Sequence, residues 1–203
     1  MADKFKWIFL LAGLFLLSAV YLIVNKDQAE DLPVFGPPNH TLPSFQFVDQ
    51  DGKIAGSKEV NGKIIVADFF FTRCGSICPL MTSQLTRVQD AYRSNTLVHI
   101  LSFTVDPDYD SSDILYNYMV HYNADPNAWT MYTGEKKELY DLARKGFMLT
   151  VDDGDGGPED FIHSEQLVLV DPNRRIRGYY DGTDSSEVDR LIVDIKNLVG
   201  IFH

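Results

Sequence analysis

Cys74 and Cys78 are the only cysteines in a chain of 203 residues, and they stand four apart in TRCGSICPLM. Four residues is about one helical turn, so two sulfurs at that spacing can face the same side. Sulfurs so placed can share a metal ion or join as a disulfide. A purely structural disulfide explains the pair poorly, because so short a loop removes little chain entropy. The pair follows the apolar run IIVADFFF and precedes PLMTSQLTRVQDAYR, a strand-to-helix junction. A helix N-terminus carries partial positive charge, and Arg73 adds a full one next to Cys74; both favour the thiolate. Asp68 lies in the middle of the apolar run, six residues before Cys74. A carboxylate buried there has a raised pKa and can accept the proton of a thiol. The alternative is a structural Asp68 held by hydrogen bonds.

Other residues weigh less. Met81 is a soft donor one turn beyond Cys78, but Leu80, Met81, Leu85, Val88 and Tyr92 recur at helical spacing, which predicts packing. His99 alternates with Leu97 and Leu101 in a strand and reads as core. His40 falls in a polar stretch, His121 on a helix surface and His203 at the end of the chain. His163 stands apart. It follows the acidic loop VDDGDGGPED and immediately precedes a strand, although a lone histidine is more often structural than a ligand. The acids Asp152, Asp153, Asp155, Glu159 and Asp160 lack the ordered spacing of a calcium loop and read as a solvated or docking surface. Asp106 and Pro107 close a strand and are expected to shape the loop after it.

These residues need elements to position them. Trp7 to Val24 runs 18 residues without a charge, long enough to span a bilayer as a helix. Lys4 and Lys6 precede it, which predicts residues 1–6 in the cytoplasm and the remainder outside. A cleaved signal peptide fits less well, because no small-residue cleavage site follows. Residues 25–40, polar and proline-bearing, read as a linker. From Thr41 the pattern alternates. IIVADFFF and LVHILSFTV read as strands buried on both faces, each followed by a helix. AWTMYTG, EKKELYDLARKG and the antiparallel pair within LVLVDPNRRIRGYYDG follow, and SSEVDRLIVDIKNLVG closes the chain as an amphipathic helix. Parallel strands with helical crossovers and a terminal hairpin predict an α/β sandwich over residues 41–203, with helices flanking a mixed sheet. The net charge is −11, and the chain is more acidic still without its first 26 residues. Such a surface repels nucleic acid and suits a basic partner or a cation.

The order of elements, with a cysteine pair after the first central strand, resembles the thioredoxin fold. Further residues narrow the resemblance. Phe71-Thr72-Arg73-Cys74 through Cys78-Pro79, Val105-Asp106-Pro107, and His163 ahead of Leu169-Val170-Asp171-Pro172 are similar to the Sco/SenC family of copper proteins. YYDGTDSSEVDRLIVDIK also resembles that family, and the likeness covers residues 41–200. It implies copper bound by Cys74, Cys78 and His163, in a thioredoxin-like domain that serves assembly of the CuA site of cytochrome c oxidase. It also implies a domain facing the periplasm or intermembrane space, and with the apolar span the expectation is a single-pass protein of the bacterial inner membrane whose domain faces the periplasm or outside. The expected partners are the copper-bearing oxidase subunit and an upstream copper donor or thiol reductant. Many members carry Asp directly before the histidine, where this chain has Ile162. Soft thiolates suit Cu(I), and a histidine on a hinged loop can join them when metal arrives. The competing expectation is a thiol-disulfide oxidoreductase with Cys74 as nucleophile and Cys78 as resolving thiol. Three residues between the cysteines instead of two, and no proline in HSEQ before the later strand, favour copper.

Overall fold

A computed structural model describes residues 31–149 and 164–202. The expected cytoplasmic end 1–6, span 7–24 and first part of the linker lie outside these residues, as do the acidic loop and His163. Among the described residues no helix is long and apolar enough to cross a membrane.

The strands are β1 (Gln46–Asp49), β2 (Ile54–Gly56), β3 (Ile64–Phe70), β4 (Val98–Thr104), β5 (Trp129–Thr133), β6 (Gln166–Val170) and β7 (Ile176–Asp181). The helices are α1 (Ile77–Ala91), α2 (Ser112–His121), α3 (Lys136–Asp141) and α4 (Ser185–Phe202), and a π-helical turn over Leu142–Gly146 continues α3. One sheet runs in the order β2-β1-β5-β4-β3-β6-β7. β3, β4 and β5 are parallel, whereas β6 pairs antiparallel with β3 and with β7. The mixed α/β sandwich expected from the sequence is therefore present. Every residue of β3 and β4 is buried, as strands covered on both faces require.

Alternation along β3 divides the interior. Ile64, Val66 and Phe70 face α1, α2 and α4, packing on Met81, Leu85, Leu115 and Leu191. Ile65, Ala67 and Phe69 face the other side, packing with Phe103, Tyr140 and Phe147. Met81 is core, as its spacing predicts. Leu80, counted in the same stripe, is 45% exposed. At 100° per residue it sits about 200° from Cys78, on the outer side of the helix.

The compact unit begins at Asp31, earlier than the boundary expected at Thr41. Residues 31–42, most of them assigned to the linker from sequence, lie along the open edge of β7. The Phe35 N–H donates to Ile176 O at 2.9 Å and the Leu42 N–H to Arg174 O at 2.8 Å. The Phe35 ring meets Tyr179 edge-on at 5.5 Å. The buried Arg177 guanidinium also binds Pro33 O, Leu32 O and the Asp31 carboxylate. An edge strand left bare would offer unpaired backbone groups to other chains, and this strap covers them.

Candidate metal centre

β3 and β4 run in register, with Asp68 opposite Ser102 and Phe70 opposite Thr104, so both strands end level. The segment carrying Cys74 leaves β3 at the same end where the Asp106–Asp110 loop leaves β4. Carboxyl ends of parallel strands are where open α/β sheets hold their ligands. Cys74 closes a turn, its N–H donating to Phe71 O at 3.2 Å, and α1 starts three residues later. The Cys78 N–H then points back at Cys74 Sγ, 3.5 Å away. Pro79 is tolerated because a first-turn residue needs no N–H partner.

Both thiols are free, and their settings differ. Cys74 is half-buried and Cys78 is buried. Partial burial pushes the Cys74 thiol up, but the N–H groups of Cys78 and Ser76, with the Cys78 thiol and the Ser76 hydroxyl, more than offset it. The result is a thiol lowered to about 7. Burial pushes Cys78 up to about 12; a hydrogen bond with the Phe71 backbone opposes the rise, and the neighbouring charges of Cys74 and Asp68 add to it. The helix N-terminus thus does what its position predicts for Cys74. Arg73 does not. Its guanidinium is paired with Asp106 and stacked 4.0 Å above the Tyr109 ring, so its charge is neutralised away from the sulfur.

Asp68 lies on the same face of β3 as Val66 and Phe70, the side that α1 covers. It is buried, and its carboxylate accepts a hydrogen bond from the Ser102 hydroxyl. Ser102 in turn accepts from the Trp129 indole N–H at 2.9 Å. Burial pushes Asp68 up to about 7, with the Ser102 bond and its own backbone opposing. The hydrogen bond expected of a structural Asp68 is present, and its raised pKa is what burial produces.

The sequence reading missed Thr72, Thr104 and Asp110. Asp110 is wholly buried and accepts from the Thr72 N–H at 3.1 Å, the Thr72 hydroxyl, and the Thr104 hydroxyl at 2.5 Å. The acids in VDPDYD were the available signal, but nothing in their spacing says which one turns inward.

The remaining candidates separate. His99 is buried, with Nε2 2.9 Å from Thr130 Oγ1, and burial lowers its pKa to about 4. It is core, on the sheet face opposite the thiols. His40 does not hang in a free linker; its Nε2 lies 2.9 Å from Gly146 O. His121 is exposed, as expected. Two sulfurs within one turn form a soft donor pair that fits a thiophilic metal such as Cu(I). Among the described residues no group of three His, Cys, Asp or Glu side chains is placed to hold a metal ion.

A family model described as SCO1/SenC matches residues 36–200. A SCO1/SenC family lipoprotein from Bacillus anthracis superposes with a TM-score of 0.70 at 32% identity, over 82% of this chain and 99% of that one. BsSco, a member of the Sco family of cytochrome c oxidase assembly proteins in which a disulfide switch is identified, gives 0.67 at 31% identity, over 81% and 96%. Arabidopsis thaliana ScoI, solved with copper bound, gives 0.61 at 23% identity, over 76% and 97%, a likeness of fold alone.

Proposed function

The chain belongs to the SCO1/SenC family, and from that premise we propose that it takes up copper through Cys74 and Cys78 and passes it on for assembly of the CuA site of cytochrome c oxidase. His163 is the third donor in this reading, and its place outside the described residues leaves it resting on the resemblance. The anchor 7–24 holds the chain in the bacterial inner membrane with the domain on the periplasmic side. The partners are the copper-bearing oxidase subunit and a copper donor or thiol reductant. One observation carries the proposal: two free cysteines flank the start of α1, the Cys78 N–H 3.5 Å from Cys74 Sγ, one half-exposed and one buried. Bound Cu(I) supplies only its affinity for soft donors. The chain's own residues do the rest. The N–H groups at the start of α1 favour the Cys74 thiolate, and the buried Cys78 fixes the inner side of the site.

The test is anaerobic Cu(I) titration of the full-length chain in detergent against a chromophoric chelator. One equivalent should bind. Cys74→Ser and Cys78→Ser should nearly abolish binding, and His163→Ala should weaken it by about tenfold or more, roughly 1.4 kcal/mol. Full retention in the histidine variant would remove His163 from the site.

A second reading has its own support in the split between the two thiols and in the buried Asp68. The Cys74 thiolate attacks a client disulfide, the client S–S bond breaks and the first client thiolate leaves. Cys78 gives its proton to Asp68, displaces the second client thiolate and closes the Cys74–Cys78 disulfide. Two electrons pass to the client, and an external thiol reductant returns them. Turnover of a disulfide substrate no faster than that of a free dithiol would remove this reading.

A further inference from the structure

We propose that Asp110 is the positioning residue for Cys74, tying the segment between β3 and α1 to the end of β4 and so setting how the two thiols face each other. Besides Asp110, residues 72–76 are held by the Cys74 N–H, which donates to Phe71 O at 3.2 Å, and by Arg73. Ser76 makes no side-chain capping bond to α1. Gly75 and Ser76 are exposed, and a Cβ added at Gly75 would meet nothing within 4 Å. The tether through Arg73 joins a half-exposed guanidinium to the buried Asp106 carboxylate and the Tyr109 ring, so one side of this pair stays open to water.

Asp110 is different. It comes from the loop after β4, is wholly buried, and accepts both the backbone N–H and the hydroxyl of Thr72, two residues before Cys74. It is held in turn by the Thr104 hydroxyl and by its own N–H, which donates to Asp106 O at 2.9 Å. Hydrogen bonds to a charged acceptor away from water are the stronger kind, and losing one leaves a buried group unsatisfied. The position of β4 is therefore transmitted through one carboxylate to the peptide that presents Cys74, and Cys74 lies beside the thiol of Cys78.

This inference rests on the copper reading for one of its two readouts. Full-length chain in detergent would be compared as wild type, Asp110→Asn, Thr72→Val and Val188→Ala. The last removes buried volume on α4, in the core cluster that also holds Cys78, and serves as the stability control. Cu(I) affinity comes from chelator competition. Access to Cys78 comes from the fraction modified by iodoacetamide in a fixed time, read by mass spectrometry. Asp110→Asn should weaken Cu(I) by about tenfold, the scale seen when groups behind a metal ligand are lost, and should increase Cys78 modification. Thr72→Val, which keeps the carboxylate and the N–H bond, should move both readouts the same way by less. Val188→Ala should leave both near wild type despite its lower stability.

Affinity and Cys78 access within about twofold of wild type in Asp110→Asn would overturn the proposal, as would a Val188→Ala control that matched it. Should Asp110→Asn fail to fold, Thr72→Val decides by the same criteria. A wild-type chain that bound no Cu(I) would defeat the copper reading instead, and the alkylation readout would still decide the role of Asp110.

Discussion

Asp68 in β3 and Asp171 just after β6 are both buried, and they are handled in opposite ways. Asp171 follows β6 and is compensated by cations. Its carboxylate takes Arg177 Nη1 at 2.9 Å and Arg175 Nε at 3.0 Å, and its other oxygen accepts the N–H groups of Asn173 and Arg175. Asp68, in mid-β3 on the thiol side, accepts from the Ser102 hydroxyl and makes no ion pair among the described residues. Burial therefore raises it to about 7. A buried carboxylate with cationic partners keeps its charge more readily than one with a single neutral donor, whose pKa rises. Asp171, joined to the strap through Arg177, is of the first kind and Asp68, on the thiol side, of the second.

The largest effect should come from breaking the compensated pair. Arg177→Met leaves Asp171 buried with one guanidinium fewer and frees residues 31–33 from the sheet edge. Removing one member of a buried pair costs about 3–5 kcal/mol, which urea unfolding would read as a lower midpoint. A midpoint near wild type would mean that the strap and Asp171 do not depend on this cation.

Asp68→Asn should act on the other carboxylate and with the opposite sign at neutral pH. The folded pKa of Asp68 is raised from 3.8 to about 7. Its contribution to stability is fully present below pH 3.8 and is lost as pH rises through about 7. At 1.36 kcal/mol per pH unit the loss is at most about 4 kcal/mol, and the Asn variant lacks it. The variant should therefore gain on wild type between pH 4.5 and pH 8 in urea unfolding. A constant difference across that range would show that Asp68 does not titrate there. The smallest effect belongs to Asp31→Asn. Asp31 binds the same Arg177 but its side chain is 81% exposed, so the change should be under about 1 kcal/mol. A loss as large as that of Arg177→Met would erase the distinction between the buried and exposed ends of this guanidinium.

What the sequence disclosed follows the same division. β3 and β4 were legible because continuous apolar runs of that length have one simple use, and α1 because its stripe repeats every three to four residues. The cysteine pair was legible because its chemistry is local: spacing and junction alone bring the sulfurs together. Partners brought by the fold were not. Arg177 reaching back to residues 31–33, Asp110 receiving Thr72, and Arg73 spent on Asp106 each join positions that sequence patterning does not relate. Residues 31–40 looked like linker because they are polar and rich in proline, yet they bind through backbone groups, the Asp31 carboxylate and the Phe35 and His40 rings, which composition does not reveal. Leu80 was misread because five apolar residues were taken as one stripe when a helix buries only part of its circumference.

The central claim is that the sulfurs of Cys74, just before α1, and Cys78, within it, hold copper together with the His163 imidazole. X-ray absorption at the copper edge, on the full-length chain loaded anaerobically with one equivalent of Cu(I), reads those donors directly. The account predicts two sulfur neighbours near 2.2–2.3 Å, on the order of metal–thiolate bonds, and one nitrogen near 2.0 Å; the nitrogen should disappear in His163→Ala. A spectrum with nitrogen and oxygen neighbours alone, or with sulfur unchanged in Cys78→Ser, would contradict it.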